Sequence, residues 1–352
     1  MTRTLKGALL GGSLLLGLMT WVGCESDNGS ATSLNVDYPA AYVVNGQDGA
    51  ISVIDLSQNE VAGTIQLRDG EGHAMTWPHH LSLSPDGQRI AVGVPGMDLG
   101  GGHGGMEGMV GKFLVLNANT GQTLHSQSLP AMTHSAVFSP DGLEIWVGQM
   151  AMDGKVMVFD AMSYLPMDTI MVGMDPAEIT FSDDGHMAFI ACGGSGLVTA
   201  IDPHTKTVVG QIQVGENPVG AWPGMDGMMY TDNEDGHSIS IFHHDSLQVR
   251  HTLDLGFKPG YAAFHMQRGE LWVSNATDGA VAIYHDDQGT WMHDADIPTG
   301  ADAHAIVFTA DGLTAYVTNQ GAGTVSVINV ATRARIKDIA VGRKPNGIVL
   351  RE

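Results

Sequence analysis

The chain has 352 residues, of which 43% are hydrophobic and only 15% charged, and it contains 47 glycines. This length allows one large domain or two ordinary ones, while many glycines and few charges favour tight turns over amphipathic helices. The net charge of −22 excludes a surface suited to nucleic acid or anionic lipid. A negative charge of this size favours solubility, or attracts cations or a basic partner protein.

The first 24 residues have the pattern of an export signal. Arg3 and Lys6 precede an apolar run from Ala8 to Val22, which ends at Gly23 and Cys24. Such a run is short for a membrane span, and no later segment approaches the roughly 20 apolar residues that a spanning helix needs. This segment resembles a bacterial lipoprotein signal, which implies that Cys24 receives the lipid and becomes the mature N-terminus. A plain secretory signal and an uncleaved anchor are the alternatives.

Residues 25–39 are polar and rich in Ser, Asn and Asp, so they predict a flexible tether. Glu25 follows the lipidated position, and by analogy with enteric lipoproteins this implies the outer membrane, with the domain facing the periplasm or the cell surface. With Cys24 assigned to lipid, only Cys192 remains, and no internal disulfide is possible. Cys192 follows an apolar strand pattern, which predicts a buried, unreactive thiol.

A turn signature recurs about every 42 residues from residue 84 onward, except that the first interval is about a dozen residues longer. Its Asp-Gly or Arg-Gly ending supplies the positive φ of a tight hairpin turn. The six copies are Ser84-Pro85-Asp86-Gly87, Ser139-Pro140-Asp141-Gly142, Ser182-Asp183-Asp184-Gly185, Gly224-Met225-Asp226-Gly227, Met266-Gln267-Arg268-Gly269 and Thr309-Ala310-Asp311-Gly312.

Each turn lies within a repeat of four short alternating strands, which is the period of a β-propeller blade. The chain enters the first blade without its inner strand, and the missing strand is predicted at Pro345 to Leu350. We therefore predict an all-β, seven-bladed β-propeller over residues 40–352, whose first blade is closed by the C-terminal strand. Closure of this kind leaves few exposed sheet edges.

The repeat resembles the YVTN-type propellers. The motif occurs unchanged at Tyr316-Val317-Thr318-Asn319 and with one difference at Tyr42-Val43-Val44-Asn45. Propellers of this type serve binding, surface-layer and cofactor roles, so the fold alone does not fix the function. The same architecture occurs in the haem-dependent cytochrome nitrite reductases and in nitrous oxide reductase.

One repeat position, five residues before each turn signature, marks the start of an innermost strand at the mouth of the central channel. Around the ring it is occupied by His79, His134, Ala177, Val219, Tyr261, His304 and Asn346. Three imidazoles with an open coordination position suit Zn or Cu, and His80 and His73 lie close by in sequence. The alternative is that these histidines cap strands by hydrogen bonding, with a gap of two blades between His304 and His79 that is too wide to bridge.

The long interval places an insertion in the second blade, residues 96–109, where Met, His and carboxylate side chains are spaced by glycine. His103 in this loop could contribute to a soft or borderline cation such as Cu(I), or the loop is a flexible hairpin without a ligand. The sequence lacks a C-x-x-C-H haem attachment motif, an H-E-x-x-H zinc helix, a G-x-S-x-G elbow and a phosphate loop. Copper or zinc is therefore favoured over haem.

Three functions remain open from the sequence. The leading hypothesis is a non-catalytic, lipid-anchored propeller that binds a partner protein or ligand in the cell envelope, with a metal at His79, His134, His304 and neighbouring His73, His80 or His103. The second is a periplasmic redox or metallo-enzyme that uses the same channel mouth. The third is a structural surface-layer protein, which predicts self-assembly and no bound metal.

Overall fold

The computed structural model describes residues 34–101 and 109–352, so the predicted signal, most of the tether and the centre of the second-blade insertion lie outside the described residues. The described chain forms seven antiparallel sheets of four strands each, which confirms the predicted seven-bladed β-propeller. Within these residues, no helix reaches the length and hydrophobicity that crossing a bilayer requires.

The blades are numbered in chain order, and each is given from its innermost to its outermost strand. Blade 1 consists of β28 (Pro345–Arg351), β1 (Ala40–Asn45), β2 (Ala50–Asp55) and β3 (Glu60–Gln66). Blade 2 consists of β4 (Leu81–Leu83), β5 (Arg89–Val94), β6 (Lys112–Asn117) and β7 (Thr123–Ser128). Blade 3 consists of β8 (Ala136–Phe138), β9 (Glu144–Gln149), β10 (Lys155–Asp160) and β11 (Pro166–Met171).

Blades 4 to 7 follow the same order along the chain. They consist of β12 (Pro176–Phe181), β13 (Ala188–Cys192), β14 (Leu197–Asp202), β15 (Thr207–Gln213); β16 (Pro218–Pro223), β17 (Met228–Asn233), β18 (Ser238–His243), β19 (Gln248–Asp254); β20 (Pro259–His265), β21 (Glu270–Asn275), β22 (Ala280–Asp287), β23 (Thr290–Pro298); β24 (Ala303–Phe308), β25 (Thr314–Asn319), β26 (Thr324–Asn329), β27 (Ala334–Ala340).

Short 3₁₀ turns add to the strands at Gly46–Asp48, Leu99–Gly101, Gly193–Ser195 and Met225–Gly227. The glycine that ends each of the six predicted turn signatures has φ between 64° and 73°. These positions need the left-handed conformation that glycine adopts without a steric penalty, so the repeated glycine is explained by the turn itself.

The apolar core lies between the blades, with one cluster of buried side chains for each of the seven pairs of adjacent blades. The middle strands are buried on both faces because they contact both neighbouring blades, as in β1 and β21, whereas the outermost strands are mostly exposed. Cys192 belongs to the cluster between blades 3 and 4, where burial raises the pKa of its thiol to about 11. The prediction that this thiol is buried is confirmed.

The asparagine that ends the repeat motif links blades 1 and 7 to the blade before each of them. Asn45 accepts a hydrogen bond from the amide of Gly342, at 3.1 Å, and Asn319 accepts one from Gly300, at 2.9 Å. Both glycines follow the outermost strand of the preceding blade. The motif tyrosine reaches the next blade, because the Tyr42 hydroxyl donates to the carbonyl of Ala118 at 2.8 Å. The motif therefore specifies the contacts between blades as well as the strands.

Glycines allow the blades to approach closely beside the channel mouth. A Cβ atom on Gly93 of β5 would lie 2.8 Å from both the carbonyl oxygen of His134 and the Cα of Ser135, which begin blade 3. Both contacts are to backbone, so a side chain at this position would force blades 2 and 3 apart.

We therefore expect Gly93→Ala to lower the free energy of unfolding by about 1–3 kcal/mol. The matched control is Gly70→Ala, because a Cβ there would meet nothing within 4 Å and its φ is not positive. Urea denaturation followed by circular dichroism measures both variants. Equal stability of the two would contradict this account of the contact between blades 2 and 3.

Candidate metal centre

The predicted ring position lies at one end of the central channel. His79 and His134 lie two residues before the short strands β4 and β8, and His304 is the second residue of β24. These three side chains line a cavity of about 710 Å³ together with Val219 and Asn346, which occupy the same repeat position in blades 5 and 1. The repeat position thus converges on the channel mouth.

The imidazole rings of four histidines contact one another in this mouth. The ring centroid of His79 lies 4.7 Å from that of His80 and 4.2 Å from that of His134. The ring centroids of His80 and His134 are 5.0 Å apart. His304 approaches from blade 7, at 5.5 Å from His80 and 6.1 Å from His79. The gap between blades 7 and 2 is therefore bridged by the side chains.

The spacing of the ring nitrogens is close enough for a shared ion. His79, His80 and His304 each offer a nitrogen, and these three atoms lie within 4.8 Å of one another. Ligands of one tetrahedral zinc ion, with Zn–N bonds of about 2.0–2.1 Å, lie roughly 3.3 Å apart, so rotation of the rings would close the set on an ion. A second overlapping group with the same limit joins His80, His134 and Glu178.

A β-bulge places the functional side chain at the start of several innermost strands. The pairing of β12 with β13 shifts between Pro176 and Ile179, and the pairing of β24 with β25 shifts between Ala303 and Ile306. Glu178 and His304 lie inside these two irregularities. Bulges leave residues unpaired in the ladder and redirect their side chains, which explains how both side chains reach the same site from blades 4 and 7.

Glu178 fixes two of the imidazole rings. One of its carboxylate oxygens, Oε1, lies 2.5 Å from Nδ1 of His80 and 2.8 Å from Nδ1 of His134. All three side chains are buried. Burial raises the pKa of Glu178, but the charges and hydrogen bonds of His80 and His134 outweigh it and hold the pKa well below its usual value. The ionised carboxylate therefore accepts hydrogen bonds from both Nδ1 atoms.

This arrangement leaves ring nitrogens available inside the cluster. In the neutral form of His80 whose Nδ1 donates to Glu178, Nε2 carries the lone pair. Neither this atom nor Nδ1 of His304 has a hydrogen-bond partner among residues 34–101 and 109–352. Burial and the neighbouring His80 and His134 lower the pKa of His304 well below its usual value, so this ring is neutral. Neutral imidazole is the form that binds metals.

Two aromatic rings, Tyr261 and Trp222, lie beside the cluster and are not among the side chains that line the cavity. The Tyr261 ring is 6.3 Å from that of His80 and 6.4 Å from that of His304, and it packs at 4.0 Å on Trp222. The indole Nε1 of Trp222 donates at 2.9 Å to Asp232, whose carboxyl is fully buried. Burial, followed by the nearby charge of Glu234, raises the pKa of Asp232 well above its usual value, which favours the uncharged form of this carboxyl group. The cluster thus has an apolar, uncharged neighbour on this side.

The lining of the cavity is acidic. Its only lining cation within the described residues is Lys258, and this ammonium lies 2.7 Å from Glu234 and 3.6 Å from Asp235. A cation approaching through the mouth therefore meets carboxylates before it reaches the imidazoles. The acidic residues that line the cavity are Asp98, Asp175, Glu216, Glu234, Asp235 and Asp302.

Of the other predicted ligands, His73 is not brought into this cluster. His73 is exposed on the loop between β3 and β4, where its Nδ1 lies 3.3 Å from Asp69 and 3.6 Å from Glu71. His103 lies outside the described residues, as does the predicted lipidation site Cys24. Four of the six predicted ligands therefore share one site, and His73 has other partners.

Sequence reasoning missed Glu178, which has no charged counterpart one residue after the ring position in the neighbouring repeats. It also missed a smaller group, His243, His244 and Asp245, on the turn after β18. There Nδ1 of His243 accepts a hydrogen bond from the amide of Asp245 at 3.2 Å, so its lone pair is engaged in capping the turn. This second group is less suited to a metal than the channel cluster.

No protein-family model matches the sequence, and no curated protein matches it. Solved structures do resemble the chain in fold. The periplasmic gluconolactonase PpgL of Pseudomonas aeruginosa is 15% identical, with a TM-score of 0.69, and the match covers 89% of this chain and 99% of that one.

Two further solved structures match over most of this chain. Hydrazine synthase of Kuenenia stuttgartiensis is 16% identical, with a TM-score of 0.63 and coverage of 77% of this chain and 88% of that one. The dihydro-haem d1 dehydrogenase NirN is 13% identical, with a TM-score of 0.61 and coverage of 88% and 74%. At these identities the likeness establishes the propeller fold and carries no activity over to this chain.

Replacing Glu178 by Gln tests its role in orienting the rings. We expect the metal-free variant to lose about 3 kcal/mol of unfolding free energy at pH 7, because two buried imidazoles lose an ionised acceptor. Since the pKa of Glu178 in the folded protein lies below its usual value, its stabilising effect is present above the usual pKa and is lost as the pH falls below it. The difference between the two proteins should therefore shrink below about pH 4.5.

Urea denaturation at pH 7 and at pH 4 measures this difference, with Glu216→Gln on the exposed cavity rim as the control. If Glu178→Gln and the control were equally stable at pH 7, the carboxylate would not be orienting the rings.

Proposed function

We propose that this protein is a metal-binding propeller of the cell envelope, which holds a copper or zinc ion at the channel mouth through His79, His80 and His304, with His134 beside them. The observation that carries the proposal is the buried Nε2 of His80, which has no partner in the described chain while the other nitrogen of the same ring is fixed by Glu178. A metal-ligating histidine commonly donates its second nitrogen to a carboxylate in this way.

The energetics favour a bound ion over an empty polar cluster. A buried polar atom without a partner costs about 1–3 kcal/mol, and the cluster holds two such nitrogens, on His80 and His304. Coordination of an ion would satisfy both atoms. The ionised Glu178 would balance part of the charge that the ion brings into a buried site.

The donor set favours copper or zinc among the common metal ions. Imidazole nitrogen suits Zn, Cu, Fe and Ni, whereas Ca and Mg prefer sites made of oxygen atoms. The acidic lining of the cavity and the net charge of −22 would both raise the local concentration of cations.

Metal analysis of the mature protein, purified untagged from its native host, tests the proposal. We expect about one copper or zinc ion per chain, and binding weaker by about 100-fold or more in His79→Ala/His80→Ala/His304→Ala. The matched control is His243→Ala/His244→Ala, which removes the surface histidine pair and should leave binding unchanged.

Two results would contradict the metal site. One is a wild-type protein that contains no metal and takes up neither zinc nor copper on titration. The other is metal binding that survives the channel variant and disappears in the surface control, which would place the ion at His243 and His244.

The same cavity supports a second proposal, that the bound metal is catalytic. An ion held by the imidazoles would be reached from the cavity of about 710 Å³, while the rings of Tyr261 and Trp222 lie beside the cluster and do not line the cavity. A redox or metallo-enzyme of this kind would show visible absorption bands in the protein from the native host that change when a substrate is added. A colourless zinc protein without such changes would leave the binding role.

We further propose that Cys24 carries lipid and anchors the propeller to the envelope. The proposal is supported by the apolar run that ends at Gly23 and by the polar segment that follows Cys24. Cys24→Ser should move the protein from the membrane fraction to the soluble fraction, measured by detergent phase partitioning. Cys192→Ser is the control, because that buried thiol should not affect anchoring. An unchanged distribution of Cys24→Ser would contradict lipidation.

A further inference from the structure

A separate group of methionines packs beside the channel mouth. Met132 and Met150 are buried there with Leu99, and Met97 packs against them while remaining half-buried. The backbone holds the two buried methionines together, because the amide of Met150 donates to the carbonyl of Met132 at 2.8 Å. Met132 and Met150 flank the hairpin of β8 and β9 in blade 3, and Met97 lies near the start of the insertion in blade 2.

The methionine cluster adjoins the mouth cavity through Leu99. Leu99 belongs to the cluster and also lines the cavity, as do its neighbours Asp98 and Gly100. Met132 lies two residues before His134. Leu99 therefore separates the methionines from the cavity, and only the half-buried Met97 among them is reached by solvent.

The composition of the cluster differs from that of the propeller core. The seven clusters between blades consist mainly of branched aliphatic and aromatic side chains, and Met75 and Met229 are the only methionines among their buried members in the described chain. Here two of the three buried side chains are methionine, and the partly buried Met97 packs against them. Leucine and methionine substitute for each other in cores at little cost, so apolar packing alone does not require this choice.

We propose that Met97, Met132 and Met150 form a Cu(I) site through their thioether sulfurs. Soft thioether ligands select Cu(I) over harder cations. Three neutral sulfurs suit a monovalent ion in an apolar setting, the half-buried Met97 gives access from the solvent side, and Asp98 on the cavity wall supplies a nearby negative charge. The site is distinct from the histidine centre and does not rest on it.

The test uses Met97→Leu/Met132→Leu/Met150→Leu, which keeps the side-chain volume and so should preserve the fold. Cu(I) is titrated anaerobically against a chromophoric Cu(I) chelator, and the loaded proteins are examined by X-ray absorption. We expect the affinity of this variant for Cu(I) to fall by about 100-fold and sulfur scattering to disappear. The control Met75→Leu/Met229→Leu removes two core methionines and should retain both properties.

Titration with Co(II), a spectroscopic substitute for zinc, separates this proposal from the histidine centre. The leucine variant should bind Co(II) as the wild type does, whereas His79→Ala/His80→Ala/His304→Ala should lose Co(II) and keep sulfur-bound Cu(I). If the triple variant fails to fold, Met97→Leu alone replaces it, with an expected loss in Cu(I) affinity of about 10-fold. Unchanged Cu(I) affinity or surviving sulfur scattering in the leucine variants would overturn the proposal, whatever the histidine centre binds.

Discussion

The pairing of the last strand with the first is the constraint on which the rest of the structure depends. β28 pairs antiparallel with β1, with Val349 opposite Tyr42 and Arg351 opposite Ala40, so residues about 300 positions apart form one blade. Without this pairing the ring would have two free sheet edges. Because the ring is closed, residues at one position of the repeat face a common axis, and His304 near the end of the chain reaches His79 and His80 near its beginning.

A closed ring also sets the chemistry of the channel mouth. Tight blade contacts, made possible by glycines such as Gly93, bury the imidazoles of His79, His80 and His134 at the edge of the cavity. Glu178 stays ionised and accepts hydrogen bonds from the rings of His80 and His134, while His304 stays neutral. The result is a group of electron-pair donors beside one fixed negative charge, below a cavity with an acidic wall. Such a cluster is costly when empty and stabilising when it holds a cation.

Local rules in the sequence were enough to predict most of the fold. The repeated Asp-Gly turns, the alternation of the strands and the missing inner strand of blade 1 each follow from backbone geometry or from counting, and the structure confirms all three. The ring position predicted that His79, His134 and His304 share the mouth. It predicted nothing about distance across the channel, because side-chain reach depends on how tightly the seven blades close.

The residues that the sequence did not reveal depend on irregular structure. Glu178 reaches the histidines through a bulge at the start of β12, whose effect on side-chain direction the sequence pattern does not show. Tyr261, at the predicted ring position, contributes an aromatic ring rather than a nitrogen. His73, expected near the site from its position in the chain, lies beside Asp69 because the loop folds back on itself. The methionine cluster joins residues far apart in sequence, at positions where a single methionine looks like ordinary core filler.

Anomalous X-ray diffraction from crystals of the metal-loaded protein, recorded at the copper and zinc absorption edges, tests the central claim most directly. The account predicts an anomalous peak about 2.0–2.1 Å from ring nitrogens of His79, His80 and His304, with Glu178 still bound to Nδ1 of His80. A channel mouth without a peak at either edge, in crystals that show the metal elsewhere on the same molecule, would contradict it.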